Sequence, residues 1–220
     1  MTSASARGAA DGRHARLPLF PLKTVLFPGG RLPLKIFEQR YIEMAKACLR
    51  DDRAFGVCLI TQGDEVATPG AGGGPPAFAE IGTLATLRDW DMPQLGILHV
   101  TASGGARFRV RSRIVQPDGL VVADATPIAT EPTAALADAH RPLARFLGLL
   151  AERVGPQNFP AERAFDDASW VGYRLAELLP LPLPIKQTML EVNDAGVRLT
   201  VLQRYLERNG LLQPAGRRPL

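Results

Sequence analysis

The sequence predicts an α+β fold: a strand-rich half followed by a helical half. Three observations carry this. Short apolar runs divided by Gly and Pro turns fill Leu17–Ile128. From Thr133 onward, apolar residues recur at spacings of three and four, the period of a helix. Many short strands at close spacing, with turn residues between them, suit a barrel or a folded sheet.

The elements follow in order. Leu17–Leu26 is a strand interrupted by Pro18 and Pro21, which cannot donate ladder hydrogen bonds, so it belongs at an edge or is irregular. Phe27-Pro28-Gly29-Gly30 is a tight turn, and Arg31–Ile36 is the returning strand. Glu38–Arg50 is a helix, with Tyr41, Ile42, Ala45 and Leu49 on one face. Ala54–Thr61 is a buried strand. Gln62–Ala77, containing ATPGAGGGPPA, has no periodicity and is a loop. Phe78–Leu87, Gly96–Ser103, Arg107–Val115 and Leu120–Ile128 are strands, the last two joined by Gln116-Pro117-Asp118-Gly119.

Helices fill the second half. Leu136–Val154 places Leu143, Phe146, Leu147 and Leu150 on one stripe, and Pro142 marks an early turn or a break. Asp166 or Asp167 caps Ala168–Leu179. Pro180, Pro182 and Pro184 stop that helix and restart another through Glu191. Asn193 or Asp194 caps a last helix to Arg208, and Asn209-Gly210 ends it. The division is a disordered tail over 1–16, a β-rich lobe over 17–130, a helical lobe over 131–212 and a polar tail over 213–220.

Charge excludes little. The formal net charge is +4, but Arg7, Arg13, Arg16, Arg217 and Arg218 lie in the tails and leave a balanced body. No apolar run reaches the roughly 20 residues of a membrane helix. Residues 1–16 lack the apolar centre of a secretory signal. The two cysteines, Cys48 and Cys58, read as reduced thiols, so a cytoplasmic address is expected.

Enzyme signatures are missing. The sequence contains no GxxxxGK[ST], HExxH, GxSxG or CxxC. Pairing Cys48 or Cys58 with His99 is the only nucleophile–base couple on offer, and no spacing supports it. No metal and no cofactor are expected.

Two sets of residues could bind something. In RFRVRSR, the period of a strand puts Arg107, Arg109, Arg111 and Arg113 on one face. That face reads as a basic stripe for RNA phosphates, or as a solvated strand face with its arginines paired to neighbouring carboxylates. No aromatic residue interleaves on it, which favours the second reading. The other set is aromatic: Phe20, Phe27, Phe37, Tyr41, Trp90 and Trp170 either fill the core or line a groove. Trp90, flanked by Arg88, Asp89 and Asp91, suits a surface position.

LPLFPLKTVLFPGGRLPLKIFEQRYIEM (Leu17–Met44) resembles the opening of the N-terminal domain of Lon proteases. Glu80–Leu87 and Gly104–Val110 resemble later strands of that domain, and Trp170–Leu206 resembles its helical closing segment. The resemblance implies a PUA-like pseudo-barrel followed by a helical bundle. It implies a domain that binds and selects protein substrates, ending where the ATPase would begin, and therefore non-catalytic. The expected partners are unfolded or partly folded protein segments, with a separate ATPase or protease and an oligomer left open. The expected mode is apolar burial in a groove between the lobes, contacted by Phe20, Phe27, Phe37, Tyr41 and Trp90, with Arg31 and Arg40 at the rim. Arg40 has Glu43 as its expected partner, three residues along the helix. An RNA-binding PUA-like protein, and a small-ligand binder or enzyme in the inter-lobe cleft, are the alternatives.

Overall fold

The computed structural model describes residues 14–65, 76–155, 159–160 and 163–212. The expected disorder of the N-terminal tail, most of the Gln62–Ala77 loop and the C-terminal tail concern residues outside that set. His14–Arg16, assigned to the tail above, already belong to a strand.

Among the described residues the chain runs β1 (His14–Leu22), β2 (Arg31–Ile36), α1 (Gln39–Asp51), β3 (Phe55–Gln62), β4 (Ala77–Phe78), β5 (Ile81–Gln94), β6 (Ile97–Val115) and β7 (Val121–Pro127). Helices α2 (Arg141–Val154), α3 (Ala168–Leu178), α4 (Leu183–Glu191) and α5 (Ala195–Arg208) follow. The fold is α+β, as the sequence predicts.

Five strands pair in a ring. β1 lies parallel to β3 and antiparallel to β7, and β7, β6, β5 and β3 continue antiparallel. Leu17, Leu19, Cys58, Phe108, Val121, Ala123 and Ala125 form one small buried cluster on these strands. A second cluster joins α1 to the sheet through Ile42, Ala45, Phe55, Leu98 and Val122.

β2 does not return along β1. It pairs antiparallel with the first part of β6, from Arg31 opposite Ser103 to Ile36 opposite Leu98. The turn before it explains why. Gly29, at φ +70°, donates its N–H to the Gly104 carbonyl at 2.8 Å, and Gly104 donates to the Gly30 carbonyl at 2.9 Å. These bonds fasten the turn to β6. They also explain why β6 is one strand of 19 residues where the sequence suggests two. A Cβ on Gly104 would lie 2.2 Å from the Phe27 carbonyl oxygen, so only glycine lets the turn approach that closely.

The helical lobe begins later than its periodicity suggests. Leu136 and Ala137 are not helical, Asp138–His140 form a 3-10 turn, and α2 starts at Arg141 with Pro142 in its first turn. Proline there lacks only an N–H that has no helical partner anyway. The caps are as expected. The Asp167 carboxylate accepts from the Trp170 N–H at 2.6 Å and Asp194 from the Val197 N–H at 2.9 Å.

Candidate binding surface

The junction between sheet and helices, the site expected for a docking groove, is packed shut along the described residues. Val25, Phe27, Leu59 and Ile81 from the sheet side share one buried cluster with Leu143, Val171, Tyr173, Leu175, Met189 and Leu199. Phe27 is fully buried there, 5.9 Å from the Tyr173 ring, and is core rather than groove.

Buried polar groups lock the same junction. Arg174 of α3 donates to the Pro28 and Gly29 carbonyls at 2.8 and 2.7 Å. Arg107 of β6 donates to the Leu190 carbonyl at 2.7 Å and approaches the Glu131 carboxylate at 3.6 Å. Glu131 also accepts from Arg198, Tyr173 and Ser169. Burial alone would push the Glu131 carboxyl up. The hydrogen bonds from Arg198, Ser169 and Tyr173, with the Arg198 charge, outweigh that and hold it below its ordinary value. Arg198 lies 3.9 Å over the Tyr173 ring.

An accessible concave surface with apolar lining lies elsewhere, around β2. β1 and β2 are not paired, and the space between them is a slot of about 170 Å³. Phe20 and Leu22 of β1, Pro33, Leu34 and Ile36 of β2, and Phe37 and Tyr41 wall it, together with the charged side chains Lys35, Glu38 and Glu65. Phe20 and Tyr41 stack at 4.1 Å between ring centres and are themselves buried, so they form the floor. Phe37 stands at the rim, 52% exposed. A shallower depression of about 480 Å³ shares Pro33, Leu34 and Lys35 with the slot and extends to Trp90, His99 and Val100. Trp90 is 60% exposed.

The structure therefore gathers Phe20, Phe37 and Tyr41 in one slot, puts Trp90 at the adjoining depression, and removes Phe27. Sequence reasoning missed Leu22, Pro33, Leu34 and Lys35. For Pro33, Leu34 and Lys35 the signal was the alternation RLPLKI, which marks a strand with two unlike faces.

The rim arginines behave differently from each other. Arg31 is exposed and reaches Asp89 at 4.0 Å, across β6. Arg40 pairs with Glu38 at 2.6 Å and donates to the Gly119 carbonyl at 3.2 Å. The expected partner, Glu43, pairs with Lys46 instead. Glu38 is the N-cap, with extended backbone, so the helical spacing that would separate it from Arg40 does not apply.

A family model described as the ATP-dependent protease La (LON) substrate-binding domain matches residues 16–208. The chain belongs to this Lon substrate-binding domain family. A Lon N-terminal domain protein from Xanthomonas campestris has a similar crystal structure, with a TM-score of 0.68 and 34% identity over 87% of this chain and 99% of that one. The N-terminal domain of a Mycobacterium avium complex Lon protease shares the fold, at TM-score 0.53 and 15% identity, over 86% and 96% of the two chains. Lon protease 2 of Myxococcus xanthus is 27% identical over 87% of this chain and 23% of its own length. A Lon protease of Roseiflexus castenholzii is 29% identical over 92% and 25%. The chain thus spans about a quarter of the length of these curated relatives.

In this Lon-type domain the four arginines of RFRVRSR do not share a face. Arg107 is buried in the junction, and a bulge between Val110 and Ser112 interrupts the alternation. Arg109 reaches Glu80 at 3.6 Å, Arg111 donates to the Thr126 hydroxyl at 3.0 Å, and Arg113 covers the Phe78 ring at 4.6 Å. The thiols and His99 do not form a couple: both cysteines are buried, and His99 is exposed. Burial pushes the Cys58 thiol up to about 12 and raises Cys48 as well, which disfavours the nucleophilic thiolate. Among the described residues no group of three His, Cys, Asp or Glu side chains could hold a metal ion, and no helix is long and apolar enough to cross a membrane.

Proposed function

We propose that this chain is a non-catalytic module that holds unfolded or partly folded protein segments on the surface around β2. One observation carries the reading: the unpaired gap between β1 and β2 leaves an apolar slot flanked by exposed Phe37 and Trp90. Burying apolar area contributes about 25 cal/mol per Å². A few hundred Å² then gives weak, sequence-tolerant binding once ordering costs are subtracted. That suits a domain whose relatives are proteases. The β-rich lobe, 17–130, carries the surface, and the helical lobe, 131–212, supports it through the locked junction. Two unbridged cysteines fit a cytoplasmic address.

The test is fluorescence anisotropy with labelled casein, an unfolded protein, titrated with the full chain at low and high salt. Saturable binding that tolerates salt and weakens at least fivefold in Phe37→Ser/Trp90→Ser supports the reading. An affinity that falls steeply with salt would instead indicate phosphate-type electrostatic contacts. No binding to casein, or binding indifferent to the double substitution, overturns it.

A further inference from the structure

β2 is a poor template for an added strand. Alternate residues of a strand aim their backbone groups to the same side, and Pro33, opposite Thr101, has no N–H to give β6. Proline in a sheet keeps its missing N–H on the unpaired side, so Arg31, Pro33 and Lys35, spaced two apart, form the outward edge. One of the three N–H groups there does not exist. A segment pairing along this edge would find two donors at most where the ladder calls for three.

The slot beside that edge has no such defect. A void of about 150 Å³ accepts a benzene ring. At about 170 Å³ the slot is matched to one phenyl- or isobutyl-sized group, and it is smaller than the 300–1,000 Å³ or so typical of small-ligand pockets. Lys35, Glu38 and Glu65 also line the slot; Glu38 pairs with Arg40 at 2.6 Å, and the Glu65 carboxylate accepts the Lys23 backbone N–H. The remaining lining, the apolar and aromatic side chains of β1, β2, Phe37 and Tyr41, suits an apolar tip.

We infer that the slot reads one large apolar side chain of an unfolded protein segment, and that the backbone of the segment is not read. The inference rests on the function proposed above and specifies how the segment is recognised. Insertion of a side chain without strand pairing admits either chain direction. The same blunted edge disfavours strand-to-strand pairing with a second copy of this chain.

The test uses the full chain labelled with ¹⁵N and chemical-shift titration, which reads weak affinities. Four ten-residue peptides serve as probes: a polar peptide with one central Phe, its Phe→Ala form, its reversed sequence, and a form N-methylated at alternate residues flanking the Phe. The reversed and N-methylated peptides should bind within fivefold of the parent, shifting resonances of Phe37 and Tyr41. The Phe→Ala form should bind at least fivefold more weakly. A loss greater than fivefold on N-methylation or reversal shows that the backbone is read and overturns the inference. So does an Ala form that binds as well as the parent. If casein binds and no peptide does, the single-anchor inference falls while the proposed function stands. If neither binds, both fall.

Discussion

The lobe junction and the β2 surface invert the usual distribution of residues. The junction buries charge: Arg174 and Arg198 are fully enclosed, with Arg107 and Glu131 nearly so. The β2 surface exposes apolar rings, Phe37 and Trp90. Buried charges persist when paired and hydrogen-bonded, and these have carbonyls, hydroxyls and a carboxylate around them. Exposed rings have no comparable internal partner. The contrast separates what holds the lobes together from rings that pack against nothing comparable, and it puts the exposed rings on the outside of one lobe rather than between the two.

The strongest way to break that contrast is to unbalance the junction. Removing one member of a buried ion pair typically costs about 3–5 kcal/mol, because the partner charge remains enclosed. Glu131→Gln leaves Arg198 and Arg107 without their shared carboxylate, so Tm should fall by roughly 6–20 °C. A differential scanning calorimetry trace unchanged by the substitution would remove the junction from the stability argument. The pH dependence has a definite sign. The folded Glu131 carboxyl titrates below its unfolded value, which is about 4.3. Its stabilisation is present above that value and is lost as pH falls through the folded one. The gap in Tm between the natural protein and Glu131→Gln should therefore narrow on acidification from about pH 5 to pH 3.

Next in size is the fastening of the turn before β2. Gly104→Ala places a methyl group against the Phe27 carbonyl, and overpacking of this kind costs about 1–3 kcal/mol. The turn positions both Phe27 in the junction and β2 at the surface. Loss of several degrees in Tm should therefore accompany weaker casein binding, which links the two regions. A stable Gly104→Ala protein with intact binding would separate them.

What the sequence revealed divides along the same line. Local rules carried the helical caps at Asp167 and Asp194, the α1 stripe and the Pro142 start, because each depends on residues a few positions apart. The slot was half legible. Phe20, Phe37 and Tyr41 stand out as aromatics near one turn, but that β2 leaves β1 for β6 depends on Gly104, more than 70 residues further on. Arg107 was misplaced because the helical lobe covers the strand face at its position, through the Leu190 carbonyl and Glu131, which are distant in sequence. Glu131, Arg174 and Arg198 gave no signal, since a charged residue on a loop or a helix reads as solvated unless a partner distant in sequence encloses it. Glu43 was expected as the partner of Arg40 from helical spacing, but Glu38, outside the helix and free of that spacing, takes the pair.

A helix cap tests the junction more gently. Asp167→Ala removes the acceptor for the Trp170 N–H at the start of α3, the helix that carries Tyr173 and Arg174. Losing a cap costs about 1 kcal/mol, or about 2–4 °C in Tm for a chain of this size. Asn in its place should restore most of the loss, because its side-chain oxygen can accept the same bond. Failure of Asn to restore it would assign the effect to charge rather than to capping.

The smallest expected change in stability is the most informative about the surface. Phe37 and Trp90 make up exposed apolar area rather than core, and surface substitutions away from special features shift stability by about 0.5 kcal/mol or less. Phe37→Ser and Trp90→Ser should each leave Tm within about 2 °C of the natural protein. Phe20 and Tyr41 offer the contrast within the same slot: they are buried, stacked at 4.1 Å, and Phe20→Ala should cost about 3–5 kcal/mol. The slot thus has a structural floor and a dispensable rim. A Phe37→Ser protein that melts as early as Phe20→Ala would make the ring part of the core and leave the surface without its rim. One that keeps its Tm and loses casein shows a ring retained at the surface for a partner.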